Sequence, residues 1–123
     1  MKAYLITGSV LAFLAVALGA FGAHSLEPIL EANNRVDTWE TAAKYHFYHS
    51  LGILLLGALA GKLPTEKLKA SMYLFMSGMV FFCLSLYVLA LTNFTKLGMV
   101  APIGGLSFML GWLNIAYQAY KAE

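Results

Sequence analysis

Four apolar runs alternate with short polar segments along the chain, and each is close to the length needed to cross a bilayer. Residues 3–23 carry no charge, and a helix of that length reaches about 30 Å at 1.5 Å per residue. Residues 24–38 follow as a solvated loop with Glu27, Glu31 and Asp37 against the single Arg35. Within it residues 26–32 predict a short surface helix, Pro28 in its first turn and Asn33-Asn34 ending it. Asp37 stands three residues before Glu40, a capping-box spacing for the second long helix, and Glu40 and Lys44 form an acid-first i,i+4 pair. That helix turns apolar near Tyr45, its span covering about residues 42–61. After a basic loop with Pro64-Thr65 as break and cap, the third run covers residues 70–91 and stops at Thr92-Asn93. The fourth covers residues 98–118, between Lys96 and Lys121.

Weakly polar and small residues recur periodically inside these runs. Gly8 and Ala12, then Ala15, Gly19 and Ala23, are spaced by four in the first. In the third, Ser71, Gly78, Ser85 and Thr92 recur every seven residues. In the fourth, Gly104, Ser107, Gly111, Asn114 and Gln118 alternate steps of three and four. The first row predicts close approach of helix backbones, and the heptads of the last two runs predict close, left-handed contacts with hydroxyl and amide groups bonding across them. Short loops make consecutive helices antiparallel neighbours, so the expected fold is all-α, an antiparallel four-helix transmembrane bundle in one domain, residues 1–123.

Composition agrees: 60% of residues are hydrophobic, 11% are charged, and mean hydropathy is +0.72. In hydrocarbon every backbone polar group needs an internal partner, so only helices or closed barrels span; continuous rather than alternating apolar runs select helices. A cleaved leader is the competing reading of residues 3–23, since Lys2 precedes them and Ala20-Phe21-Gly22 offers small residues, but the run exceeds a usual leader core. A net charge of +2 with lysines in separate loops gives no stripe for nucleic acid. Cys83, the sole cysteine, lies inside an apolar run as a small hydrophobe. Lys2, Lys62, Lys67, Lys69 and Lys121 fall on one side of four spans and Arg35, Lys44 and Lys96 on the other, which predicts both termini inside.

Candidate chemistry concentrates in residues 39–50, where a charged and aromatic stretch with His46 and His49 runs into apolar helix, and in His24 at the end of the first run. These residues predict one hydrogen-bonded cluster of His24, Tyr45, His49 and Tyr87 at the outer helix ends, centred on His49, with His46 pointing elsewhere. His46 and His49 could begin a metal site, but its further ligands would have to come from His24 and the loop carboxylates, and no metal site is assigned. A haem between His24 and His49 is chemically conceivable, yet no cofactor motif accompanies the pair. No Asp or Glu lies within an apolar run, which disfavours proton or cation transport. Ser50 beside His49 lacks an orienting carboxylate and is expected to bond back to its own helix, so no catalytic residue is assigned. Pro102 with Gly104-Gly105 predicts a packing notch at the start of the fourth span.

Gly-Ala-Phe-Gly-Ala-His-Ser-Leu at residues 19–26, Trp39 with Tyr45-x-x-x-His49, Ser85-Leu86-Tyr87, and Pro102-Ile103-Gly104-Gly105 through Gly111-Trp112 together resemble the YgdD/YwdK-like small membrane proteins. His46 and the Cys83-Leu84 pair depart from that family's pattern. The resemblance implies a four-span inner-membrane protein, with relatives in animal mitochondrial membranes, and no assigned activity. The expected role is therefore structural or accessory, in the lipid bilayer, self-associating or joined to a larger membrane complex. The alternative is a small binding protein using the His/Tyr cluster for a metal, haem or quinone-like ligand.

Overall fold

A computed structural model describes residues 2–122. The first apolar run is one unbroken helix, α1 (Lys2–Ala23). The surface helix forms as α2 (Glu27–Ala32), with Pro28 in its first turn, Leu30 buried beneath it, and Asn34 leaving it at φ 56°. Helix α3 (Val36–Leu59) starts at Val36, earlier than the capping-box spacing implies. Arg35 takes the cap position without a side-chain bond, and Asp37 lies in the first turn, where its charge suits the helix dipole instead. Gly61, at φ 94°, turns the chain toward α4 (Thr65–Gly78).

The third run is not a uniform α-helix. After α4 the chain is wound as a π-helix over Met79–Leu84, then returns to α geometry as α5 (Ser85–Thr92), making one continuous rod, Thr65–Thr92. Asn93 ends it in the left-handed conformation, at φ 58°, as the Thr92-Asn93 pair suggested. A 3₁₀ turn, Thr95–Met99, leads into α6 (Ala101–Lys121), which carries Pro102 in its first turn, where no helical N–H is needed.

Helices α1 and α3 lie side by side in opposite directions: Leu18 meets Trp39, Gly8 meets Leu54, and Tyr4 and Leu5 meet Gly57. Helices α4 and α6 do the same, with Ser71 opposite Gly111, Leu74 opposite Ser107 and Phe82 opposite Gly104. At Gly104 the approach is backbone to backbone, so that a methyl group there would overlap the main chain of Phe81 and Phe82. Helix α3 is flanked on several sides and buries Trp39, Ala42, His46, His49, Ser50, Ile53 and Leu56.

The seams expected in the last two runs face protein. Ser71, Gly78 and Ser85 are buried, as are Gly104, Ser107, Gly111 and Gln118. Thr92 is exposed at the helix end, its hydroxyl donating to the Val88 carbonyl at 2.8 Å. In α1 the observed row differs from the expected one. Gly8, Ala15 and Gly22, seven apart, are buried behind Tyr4, whereas Ala23 is exposed and Gly19 has open space beside it. A heptad step follows a near-antiparallel neighbour, while a four-residue step drifts away from it.

Among the described residues, three helical segments are long and apolar enough to cross a membrane: Lys2–Ala23, Thr65–Thr92 and Thr95–Lys121. Helix α3 matches them in length, but Asp37, Glu40 and Lys44 and its paired tyrosines and histidines lower its apolarity.

Candidate functional site

The two histidines of α3 are three residues apart, about 60° around the helix, so each addresses a different neighbour. His46 turns toward α5, its Nδ1 2.9 Å from the Tyr87 hydroxyl. Tyr87 packs against Trp39 with ring centroids 4.7 Å apart, and the Trp39 indole N–H donates to the Leu18 carbonyl at 2.8 Å. One chain of contacts thus ties α1, α3 and α5.

His49 turns toward α6. Its Nδ1 lies 2.7 Å from the Tyr45 carbonyl and its Nε2 receives the Trp112 indole N–H at 2.9 Å. A carbonyl only accepts and an indole only donates, so these two partners fix the neutral Nδ1–H tautomer and use both ring nitrogens. The imidazole also lies flat on Phe108, centroids 3.6 Å apart and planes within 13°. His49 is thirteen residues beyond Val36. It therefore sits roughly 20 Å along α3, well inside the bundle rather than at the helix ends.

The structure does not gather the expected four-residue cluster around one imidazole. Tyr87 pairs with His46, the histidine expected to point away. Tyr45 holds His49 through its backbone carbonyl, while its phenol ring lies 6.2 Å from the imidazole. His24 is exposed in the turn after α1, and among the described residues no side-chain hydrogen bond links it to the others. The physical reason is the helical screw: Tyr45 and His49 share a face, but that face meets α6, whereas α5 docks one step around, against His46.

Sequence reasoning missed Phe108 and Trp112 as the partners of His49. The signal was there, because an indole N–H inside an apolar run needs an acceptor and a mid-run imidazole is a natural one.

Ser50 donates to the His46 carbonyl at 2.7 Å, the back-bond expected of it. Across the other interface Ser71 Oγ donates to the Gly111 carbonyl at 2.8 Å and Ser107 Oγ to the Leu74 carbonyl at 2.6 Å. Asn114 Nδ2 reaches both Ser71 Oγ at 2.8 Å and the Lys67 carbonyl at 3.0 Å. At the far end Asn33 Nδ2 donates to the Ala90 and Leu91 carbonyls, and Arg35 Nε to Asn93 Oδ1, fastening the α2 loop to the end of α5. Among the described residues no buried side-chain nitrogen or oxygen lacks a partner, and no three His, Cys, Asp or Glu side chains converge as a metal site.

Two grooves open on either side of α3. One, about 250 Å³, lies between α1 and the Thr65–Thr92 rod, with His46 and Tyr87 among aliphatic walls. The other, about 460 Å³, lies between α3 and α6 and is walled by aromatic rings.

Apolar helices whose buried polar groups bond to one another define a helical membrane protein. The model of a protein family of unknown function, DUF423, matches residues 18–105, and the chain belongs to that family. It is similar over nearly its whole length to membrane proteins of the UPF0382 group. The protein SH2409 of Staphylococcus haemolyticus is 41% identical over 98% of both chains. YwdK of Bacillus subtilis is 39% identical over 98% of both, and SSP2132 of Staphylococcus saprophyticus 42% identical over 98% of this chain and 99% of its own. The YgdD/YwdK-like resemblance is thereby shown. No solved structure matches the chain.

Proposed function

We propose that the chain crosses the inner membrane four times as an antiparallel bundle, with both termini in the cytoplasm, and serves as a compact accessory component that self-associates or joins a larger membrane complex. The observation that carries this reading is that its buried polar side chains, including Ser50, His46 and His49, are engaged in bonds between or within helices. Such bonds lock helices together in lipid and leave no side chain poised for chemistry. Helix α3 counts as the fourth span because its imidazoles face its neighbours rather than lipid. The orientation rests on Lys62 before α4 and Lys67 and Lys69 in its first turns, against Arg35 at the opposite side.

Single cysteines placed at Asn34 and at Lys62 in a Cys83→Ala background test the topology. A membrane-impermeant maleimide added to intact cells is expected to label the Asn34 position only, with the Lys62 position reacting after lysis. Labelling of both positions from outside would remove the four-span reading. Native mass spectrometry from nanodiscs tests association, a single-chain mass with no partner counting against it.

A further inference from the structure

The charged residues are sorted between the two ends of the bundle. Tyr4 donates its hydroxyl to the Thr65 carbonyl at 3.0 Å and packs on Gly57, so the start of α1 and the end of α3 meet the start of α4. Asn114 of α6 reaches the Lys67 carbonyl at 3.0 Å. Lys121, further along α6, therefore stands about 10 Å beyond that level, and α6 overhangs the start of α4. Lys2, Lys62, Lys67, Lys69 and Lys121 are thus gathered at one end, all exposed, with Glu66 the carboxylate beside them among the described residues. Glu27, Glu31, Asp37 and Glu40 share the other half with Arg35, Lys44 and Lys96. The first end is strongly positive and the second slightly negative.

This surplus is not neutralised within the protein. Among the described residues the ion pair at this end is Lys69 with Glu66, at 3.9 Å between exposed side chains, a geometry that contributes little. Aromatic residues say at what level the charges stand. Tyr117 and Tyr120, 55% and 84% exposed, flank the end of α6, and the Lys121 ammonium lies 5.3 Å from the Tyr117 ring centre. Exposed phenols at the end of an apolar helix sit at the headgroup level, with the ring toward the chains and the hydroxyl toward water. The lysines beside them then stand in the plane of the lipid phosphates, where each ammonium near an anionic surface adds to the attraction.

We propose that the lysine-rich end of the bundle binds the headgroups of anionic phospholipids, with Lys67, Lys69 and Lys121 donating to their phosphates and Tyr117 and Tyr120 seated between them. Charge complementarity selects this lipid class over zwitterionic ones, whose headgroups carry no net charge to offset the lysines. The opposite end, with its four carboxylates, has no such preference. The binding deepens the membrane reading by naming a lipid partner, and it rests on the chain lying in a bilayer but not on its orientation. Failure of the four-span reading appears separately, in the loop-labelling pattern.

The test is native mass spectrometry of the full chain in detergent, titrated with phosphatidylglycerol and, separately, with phosphatidylcholine of the same acyl chains. Phosphatidylglycerol is expected to bind about tenfold or more tightly than phosphatidylcholine, with the preference shrinking as ionic strength rises from about 0.05 to 0.5 M. Lys67→Gln, Lys69→Gln and Lys121→Gln should each lower the phosphatidylglycerol affinity by about fivefold and leave phosphatidylcholine unchanged. The double variant Lys67→Arg with Lys69→Arg should retain the preference, while Lys44→Gln and Lys96→Gln, in the opposite half, leave both titrations unchanged. Thermal melting confirms that each variant is folded. Equal affinity for the two lipids overturns the proposal, as does an equal loss from Lys96→Gln and Lys121→Gln. Displacement of phosphatidylglycerol by an equal concentration of soluble polyglutamate also overturns it, because the lysines then serve an acidic protein segment rather than lipid.

Discussion

The indole N–H of Trp112 ends on Nε2 of His49 at 2.9 Å, joining the middle of α6 to the middle of α3 by one polar bond among stacked rings. Removing either partner orphans the other. His49→Ala is expected to destabilise the protein by about 1–3 kcal/mol, and Trp112→Phe by a similar amount. The double variant His49→Ala with Trp112→Phe should lose less than the sum, since neither member of the pair is left unpaired. Unfolding in mixed micelles measures all three; strict additivity would show that the bond contributes nothing.

His46 and Tyr87 form the second such pair, on the other side of α3. From sequence His46→Ala would be near neutral. The buried bond to Tyr87 reverses that expectation, and His46→Ala and Tyr87→Phe should each cost about 1–3 kcal/mol by the same assay. A melting temperature unchanged by both substitutions would remove the pair from any structural role.

Neighbouring glycines provide a steric contrast. Gly104→Leu has to push α6 away from the backbone of Phe81 and Phe82 and should destabilise by about 1–3 kcal/mol or more. Gly105→Ala, with only Phe82 Cδ1 at 4.0 Å, should be near neutral. In α1 the same contrast holds between Gly22, whose added methyl would meet the Trp39 indole, and Gly19, which has nothing within 4 Å. Equal effects at Gly19 and Gly22 would contradict the observed α1 face.

Ser71 donates to the Gly111 carbonyl and accepts from Asn114, so Ser71→Ala breaks two bonds at once. Hydrogen bonds between membrane helices average only about 0.6 kcal/mol. A loss of roughly 1 kcal/mol is therefore expected, with Asn114→Leu in the same background adding little. Fully additive losses would mean that the serine and the asparagine act independently.

The α6 seam was readable because every member is small or weakly polar in an otherwise large and apolar run, which leaves one interpretation of the face. The pairing of the histidines was not, because it depends on how far α5 and α6 slide along α3, and periodicity within one helix carries no information about register between helices. The four-residue row of α1 misled for a related reason: Gly19 and Ala23 are as small as Gly8 and Gly22, so size alone could not tell the packed row from its neighbour. Nothing in Met-Val-Phe-Phe-Cys-Leu announced the π-helical winding of residues 79–84.

That winding changes the phase of the long rod. Below it, α4 presents Ser71, Phe75 and Gly78 chiefly to α6; above it, α5 presents Tyr87 and Ala90 to α3. The rod thereby serves two partners in succession, and the α-helical arc on one side need not continue on the other. The wider turn holds one residue more than an α turn, so removing a single residue between Met79 and Leu84 would restore regular winding with the upper half in nearly the same phase, whereas rewinding all six residues as α-helix would swing everything above them by about 100°. Rewound at full length, the segment would take Tyr87 away from His46 while the Ser71 and Gly111 contact below stayed in place. The match between the number of residues in this segment and the way they are wound, more than their identity, decides which helices the upper and lower halves of the protein can hold.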